Sequence, residues 1–286
     1  MMKKILAVLL FLSFYSIDSQ IRKEILILTD TIDRIFEKLP FDHFSDEDIK
    51  TIDRLQILRQ QFQVKVEDDE LIYIYKNDFK PRIKNEVLNE IYKRKRIDKI
   101  KLFKETVHYK DQLKGLSLET YPLQSIFFDE ITDDKRNNKL INELTAYIFN
   151  SKPLNIPLIE NITHKIPKNP YYYNEIKDIL VEYKSKYLLE FIAEFKNPDD
   201  IKLIKSFGKD SYFAIQKFPS EEFLPFLESM AKKEYSDYEY LSTVAKFCHH
   251  QKSGQLINTV FDVLKNSNYD KGLFEFYLSS NKCRIK

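Results

Sequence analysis

The stretches FLPFLESMAKKEYSDYEYLSTVA (223–245) and LINTVFDVLKNSNYDKGLFEFYL (256–278) decide the fold of this chain. Aligned with a shift of 33 residues, they carry apolar side chains at nine common positions. Within each stretch these positions recur every three or four residues, which places them on one face of an α-helix. The pattern predicts two copies of a helix–turn–helix unit. The aligned pairs are Phe223/Leu256, Leu224/Ile257, Leu227/Val260, Met230/Val263, Ala231/Leu264, Tyr240/Leu273, Leu241/Phe274, Val244/Tyr277 and Ala245/Leu278.

Repeated helix pairs of this kind resemble the HEAT, armadillo and TPR families of α-helical repeat proteins. The resemblance is one of architecture and covers 175–286 well and 80–110 loosely. The period is close to that of TPR repeats, but Glu228 stands where that family has a small residue, and the chain has no Trp. The resemblance therefore implies an all-α fold, an irregular HEAT-like solenoid of short antiparallel helix pairs. It implies no functional residues, because these families share a scaffold and not an active site.

Helical patterns continue through the N-terminal half of the chain. Apolar residues at helical spacing predict helices at 25–39 and 140–149. Another helix is expected after Ser45, whose hydroxyl can cap a helix N-terminus together with Asp48. The segment LIYIY (71–75) fits either a buried helical turn or a short strand.

Four prolines lie in the middle of the chain, and each prevents a helix from continuing through its position. They predict a proline-rich seam at 151–174 between an N-terminal helical region, 20–150, and a C-terminal helical-repeat region, 175–286. The same prolines are also compatible with a series of short helices. They are Pro153, Pro157, Pro167 and Pro170.

The first residues are typical of an export signal. Lys3 and Lys4 precede the uncharged, mostly apolar segment 5–15, and small polar residues follow to Ser19. A helix of that apolar length spans about 16 Å, against about 30 Å of bilayer hydrocarbon. We therefore expect cleavage near Ser19 and a periplasmic or extracellular chain without a membrane span; an uncleaved anchor is the alternative. The Gln that would then begin the chain resembles exported proteins of Bacteroidota-type bacteria.

The composition disfavours several classes of function. With 46 Lys and Arg against 44 Asp and Glu, the formal net charge of +2 is small for a protein that coats nucleic acid. Its four glycines, Gly115, Gly208, Gly254 and Gly272, are far apart, so no glycine-rich loop can cradle a phosphate. The G-x-S-x-G and H-E-x-x-H motifs are also absent. These features predict no cofactor and favour a protein that is not an enzyme.

A basic run is the first candidate partner-binding site. Lys93, Arg94, Lys95 and Arg96 open a cationic stretch that extends to Lys104. Such a stretch can bind an acidic protein face, an anionic polysaccharide or a lipid headgroup. The alternative is the solvated exterior of a helix.

Three consecutive tyrosines, Tyr171, Tyr172 and Tyr173, form the second candidate partner-binding site. Three adjacent side chains cannot all face one core, so we expect at least one to be exposed. Exposed tyrosine is favoured at interfaces because it combines a large apolar area with a polar tip. The alternative is a loop plug in which the hydroxyls bond to the backbone.

The two cysteines, Cys248 and Cys283, are expected either to form a disulfide or to remain as two buried thiols, and the sequence does not decide between these. His249 and His250 follow Cys248, but adjacent helical residues point about 100° apart and rarely share a metal. The acidic stretch 129–134 could hold calcium but is more typical of carboxylates at a helix start. The sequence thus predicts no metal site.

The sequence favours an exported, non-catalytic protein–protein binding module of the cell envelope, in an immunity or scaffold role, with another protein as its partner. One alternative is an envelope hydrolase with a dispersed Asp/Glu/His site, because two carboxylates on different helices could act as acid and base. The other alternative is binding of an anionic polysaccharide or lipid through the basic stretch 93–104. The sequence does not predict the oligomeric state.

Overall fold

The computed structural model describes residues 21–39, 45–114, 120–133 and 138–283. Within these ranges the chain consists of helices joined by short turns and one small two-stranded sheet, so the predicted all-α class is confirmed. The solenoid arrangement stays a prediction. The chain divides into two compact units, Met1–Ile162 (unit 1) and Thr163–Lys286 (unit 2), with a boundary inside the stretch 151–174.

Helices of unit 1 alternate with short turns along the described chain. They are α1 (Lys23–Lys38), α2 (Asp46–Lys65), α3 (Asp68–Lys76), α4 (Pro81–Lys93), α5 (Lys99–Thr106), α6 (Leu123–Thr132), α7 (Asn138–Asn150) and α8 (Ile156–Ile162). The strands β1 (Gln112–Lys114) and β2 (Thr120–Pro122) pair antiparallel, with Leu113 opposite Tyr121.

Local capping residues start two of these helices. The Ser45 hydroxyl accepts a hydrogen bond from the Asp48 backbone N–H at 3.2 Å, and the Asp48 carboxylate accepts from the Ser45 N–H at 2.8 Å. The predicted cap at Ser45 is therefore confirmed. Glu67 and Glu70 form a similar reciprocal pair at the start of α3. Residues 71–75 lie within α3, so the strand alternative for this segment is wrong.

A cluster of aromatic side chains lies in the core of unit 1. Phe127 is fully buried, and its ring lies edge-on to the rings of Tyr75 and Phe103, with centroids 5.5 and 5.6 Å away. Tyr75 is also buried, and its hydroxyl accepts a hydrogen bond from Gln124 Nε2 at 3.1 Å. The cluster thereby joins α3, α5 and α6, which are distant in sequence.

A charged cluster attaches the start of α1 to α3. The Glu70 carboxylate, whose side chain is 6% exposed, accepts hydrogen bonds from Arg22 Nε at 3.1 Å and Arg22 Nη2 at 2.8 Å. It also accepts from the backbone N–H groups of Arg22 and Glu67. Burial by itself would raise the pKa of the Glu70 carboxyl, but these hydrogen bonds hold it below its ordinary value of 4.5.

Changing Glu70 to glutamine is expected to lower the free energy of unfolding at neutral pH by about 1–3 kcal/mol, because charge-assisted hydrogen bonds are lost. Since folding lowers the pKa of Glu70, its stabilisation is complete above the unfolded value and is lost as the pH falls through the lower folded value. The difference in the free energy of unfolding between wild type and Glu70→Gln should therefore become smaller below pH 4.5. Urea unfolding of both proteins between about pH 3 and pH 7 measures this difference.

The matched control is Glu47→Gln, because Glu47 is exposed near the start of α2. We expect it to change stability by less than about 0.5 kcal/mol at every pH. A gap between wild type and Glu70→Gln that stayed constant over the whole pH range would contradict the role of this carboxylate.

Unit 2 contains shorter helices. They are α9 (Pro170–Tyr183), α10 (Leu189–Ala193), α11 (Ile201–Lys205), α12 (Tyr212–Lys217), α13 (Leu224–Glu234), α14 (Tyr238–Ala245), α15 (Ser253–Leu264) and α16 (Asn268–Ser280). Single 3-10 turns lie between them at Thr163–Lys165, Lys186–Leu188, Pro198–Asp200, Gly208–Ser211 and Glu221–Phe223.

Alternate helices of unit 2 pack on one another. Helix α10 contacts α12, α12 contacts α14 and α14 contacts α16, while α13 contacts α15. At five of the nine aligned repeat positions both side chains are buried, as expected of residues with equivalent roles in two copies. These pairs are Phe223/Leu256, Leu227/Val260, Ala231/Leu264, Leu241/Phe274 and Ala245/Leu278.

No helix in the described part of the chain has the length and apolar character needed to cross a membrane. The export signal predicted at 1–19 lies outside the described residues.

Candidate functional site

The basic run does not form one helical face. Helix α4 ends at Lys93, a turn carries Arg94, Lys95 and Arg96, and α5 begins only at Lys99. Lys95 and Arg96 are exposed and make no ion pair with any described residue. The structure therefore leaves two of the four predicted cations available to a partner.

The other two cations of the run have internal partners. Lys93 and Arg94 both reach the Glu90 carboxylate at 3.1 Å. Arg94 Nη2 also donates to the backbone carbonyl oxygens of Gln63 and Val66 at 2.9 and 3.3 Å. The shallow cleft beside the run, of about 710 Å³, is lined by acidic as well as basic residues. Mixed charges weaken the local positive potential, so the run offers little support for an anionic polysaccharide or lipid.

The three consecutive tyrosines have three different environments. Asn169 caps α9 by accepting from the Tyr172 N–H, and the helical turn then points the three side chains apart. Tyr171 is 49% exposed, whereas Tyr172 is buried. Of the three, only Tyr171 is exposed enough to meet a partner.

Tyr173 belongs to a polar network inside unit 2. Its hydroxyl donates to Asp200 Oδ2 at 2.7 Å and accepts from Asn197 Nδ2 at 2.8 Å. Lys177 Nζ lies 2.6 Å from Asp200 Oδ1 and completes the network. Burial, together with the hydrogen bond to Asp200, raises the pKa of Tyr173. The hydroxyl therefore bonds to side chains and not to the backbone, which differs from the loop-plug alternative.

Large apolar side chains at the surface differ in kind between the two units. In the described part of unit 1 they are aliphatic, apart from Tyr121. In the described part of unit 2 they are aromatic, apart from Val181. These exposed aromatics are Tyr171, Tyr183, Tyr187, Phe213, Tyr235, Tyr238, Tyr269 and Phe276. Sequence reasoning found only Tyr171 among them, because helical spacing marks the buried stripe and not the rings outside it.

We call three of these exposed rings of unit 2, those of Tyr187, Tyr238 and Phe276, the aromatic face. They are 65%, 59% and 63% exposed, respectively. The ammonium of Lys186 lies 5.7 Å from the Tyr187 ring centroid. The Phe276 ring lies 5.8 Å from that of Tyr277.

Charged groups lie near two of these rings. The hydrogen bond to Asp210 raises the pKa of Lys186, and the charge of Glu239 raises it further. The Tyr238 hydroxyl donates to Glu239 Oε1 at 3.1 Å. That bond is the main cause of the raised pKa of Tyr238, to which the neighbouring Tyr277 also contributes. Tyr187 therefore lies beside the ion pair of Lys186 with Asp210, and Tyr238 beside Glu239.

Cys248 and Cys283 are joined as a disulfide, with their Cα atoms 5.9 Å apart. Cys248 follows the end of α14 and Cys283 follows the end of α16, so the two turns converge beyond the packed helices. The His249 ring lies beside them, with Nε2 2.8 Å from the Asn281 carbonyl oxygen. These three residues are the sole group of potential metal ligands within the described ranges. Disulfide sulfurs lack the thiolate that binds a metal.

Carboxylates with shifted pKa values bear on the hydrolase alternative. In the part of the chain that the structure describes, each such pKa is lowered by a hydrogen-bonding partner. A general acid at neutral pH needs a raised pKa. The residues are Glu37, Asp48, Glu70, Glu105, Glu143 and Glu221. They supply no candidate acid for a hydrolase. Of the acidic stretch 129–134, Asp134 lies outside the described residues.

Comparisons with protein families, with curated proteins and with solved structures find no match to this chain.

Proposed function

We propose that this chain is a non-catalytic protein-binding module that is exported to the cell envelope and contacts another protein through the aromatic face of unit 2. The observation that supports the proposal is the concentration of exposed aromatic side chains in this unit. Tyrosine and phenylalanine are enriched at the centres of protein interfaces, where they bury a large area at a small cost in conformational entropy.

The charges on this face also favour a protein partner. Lys186 lies 3.3 Å from Asp210, so this surface carries a positive and a negative charge side by side. Nucleic acids and anionic polysaccharides call for an excess of cations instead. A protein surface, which carries both signs of charge, is the better complement. An immunity role predicts capture of one toxin, whereas a scaffold role predicts capture of envelope proteins that also contact one another.

Capture from the native cell envelope tests this proposal. The tagged wild-type protein is expected to retain one dominant protein at a near-equal ratio. The triple variant Tyr187→Ser, Tyr238→Ser, Phe276→Ser is expected to lower its recovery at least about tenfold, because each lost ring removes a buried anchor. Quantitative mass spectrometry of the eluted proteins measures the recovery.

The matched control removes equally exposed aliphatic side chains from unit 1, in the triple variant Ile27→Ser, Ile49→Ser, Ile57→Ser. It should retain the partner as the wild type does. The proposal is wrong if the two triple variants lose the partner equally. It is also wrong if the wild type retains no protein from an extract in which a known complex survives.

A further inference from the structure

Unit 1 contains an open groove of about 740 Å³, within the range of small-molecule sites, about 300–1,000 Å³. We call it the unit 1 groove. It lies among α1, α2, the first turn of α4, the two strands and the start of α6. Its apolar lining is Phe36, Leu39, Ile52, Leu55, Pro81, Leu113, Tyr121 and Ile126. This lining can bury a hydrocarbon chain.

The carboxylates that line the groove are all held by ion pairs. Lys80 Nζ lies 2.6 Å from Asp33 Oδ2 and 2.5 Å from Glu37 Oε1. These two carboxylates raise the pKa of Lys80 to about 12. Arg59 pairs with Glu86. The groove therefore keeps its own negative charges occupied.

Cations of the groove are less completely paired. Arg82 and Lys114 line the groove and make no ion pair with a described residue. The guanidinium carbons of Arg59 and Arg82 lie 4.8 and 5.1 Å from the centroid of the Phe36 ring. Both groups are thus held against one aromatic wall.

The count of charges indicates the charge of a ligand. Among the described residues, four cations and three carboxylates line the groove, which leaves one positive charge. A guanidinium presents paired N–H donors that fit a carboxylate. A ligand with one negative charge and an apolar tail therefore complements both the surplus charge and the apolar wall.

We propose that the unit 1 groove binds a free long-chain carboxylate, with its tail along the apolar wall and its carboxylate against Arg82. Burial of the tail drives binding, so each added methylene should strengthen it about fourfold while the tail remains in the groove. The headgroup fixes the orientation at Arg82, which makes no ion pair with a described residue. Its charge lowers the pKa of Glu37, but Glu37 is already paired with Lys80. The site lies in unit 1 and does not depend on the aromatic face.

Calorimetric titration of the full chain with dodecanoate, below its micelle concentration, is the first test. We expect one dodecanoate per chain. Octanoate should bind more weakly because its tail is shorter. Dodecanol and dodecyltrimethylammonium, which share the tail but lack the negative charge, should bind at least about tenfold more weakly. The proposal fails if dodecanoate does not bind, or if dodecanol binds as tightly as dodecanoate.

A pair of variants then locates the site. Arg82→Gln should weaken dodecanoate binding about tenfold, whereas Arg96→Gln makes the same chemical change outside the groove and should leave affinity within about twofold. Circular dichroism of both variants checks that they fold. If Arg82→Gln were misfolded, Arg82→Lys, which keeps the charge, would replace it, with an expected loss of severalfold. Equal affinities for the wild type and the folded Arg82 variant would overturn the assignment.

Discussion

Replacing Phe127 with alanine is expected to lower the free energy of unfolding of unit 1 by about 3–5 kcal/mol. The ring is fully buried and meets the rings of Tyr75, Tyr92 and Phe103 edge-on, with centroids 5.5–5.9 Å away. Truncation removes the apolar burial and also these contacts, and close-packed neighbours relax only in part into the space. The surrounding helices α3, α5 and α6 should all lose stability.

Urea unfolding followed by circular dichroism gives the global effect, and hydrogen exchange of peptides from 99–132 shows whether unit 1 carries it. The matched control is Phe276→Ala, because that ring is 63% exposed and its loss should cost less than about 0.5 kcal/mol. A loss below about 1 kcal/mol for Phe127→Ala would show that the aromatic cluster is not the packed centre of unit 1.

Reduction of the Cys248–Cys283 disulfide is expected to lower the free energy of unfolding of unit 2 by about 3–4 kcal/mol. The bridge joins residues separated by 35 positions, and opening it restores to the unfolded chain the conformational freedom of that loop. The loop runs from the end of α14 to beyond α16 and so contains the second repeat copy. Hydrogen exchange should therefore accelerate most in 246–283.

The double variant Cys248→Ser, Cys283→Ser should match the reduced wild type in stability, and a reducing agent should have no effect on it. Unit 1 is an internal control, because the chain has no other cysteine. The disulfide would be disproved if alkylation of the denatured, unreduced protein labelled both cysteines.

Much of the local structure could be predicted from short-range spacing. The apolar period predicted the helices, and the Ser45 cap lies where its sequence placed it. Five of the nine aligned repeat pairs are buried in both copies. Helix formation and capping depend on residues within about four positions of one another. The sequence alone can therefore predict them. LIYIY was ambiguous because a short apolar run fits both the helical and the strand period. In the structure it lies in α3, where Leu71, Ile74 and Tyr75 are buried.

The candidate sites were harder to predict from the sequence, because their properties depend on contacts with residues far away along the chain. Arg94 looked like a surface cation, yet it donates to the carbonyl of Gln63, 31 residues earlier. Tyr173 looked like one of three equivalent rings, yet its hydroxyl bonds to Asp200, 27 residues later. No local pattern predicts such contacts.

The sequence by itself determined that this chain is helical, where helices begin, and which stripe of each repeat helix is apolar, because these follow from local propensity and period. Only the tertiary structure decided which aromatic rings remain outside the core and which charges remain without a partner. Packing selects among rings of equal hydrophobicity by shape and by the neighbours that long-range contacts provide. The aromatic face of unit 2 is a result of that selection, and so is the Arg82 of the unit 1 groove, which makes no ion pair with a described residue.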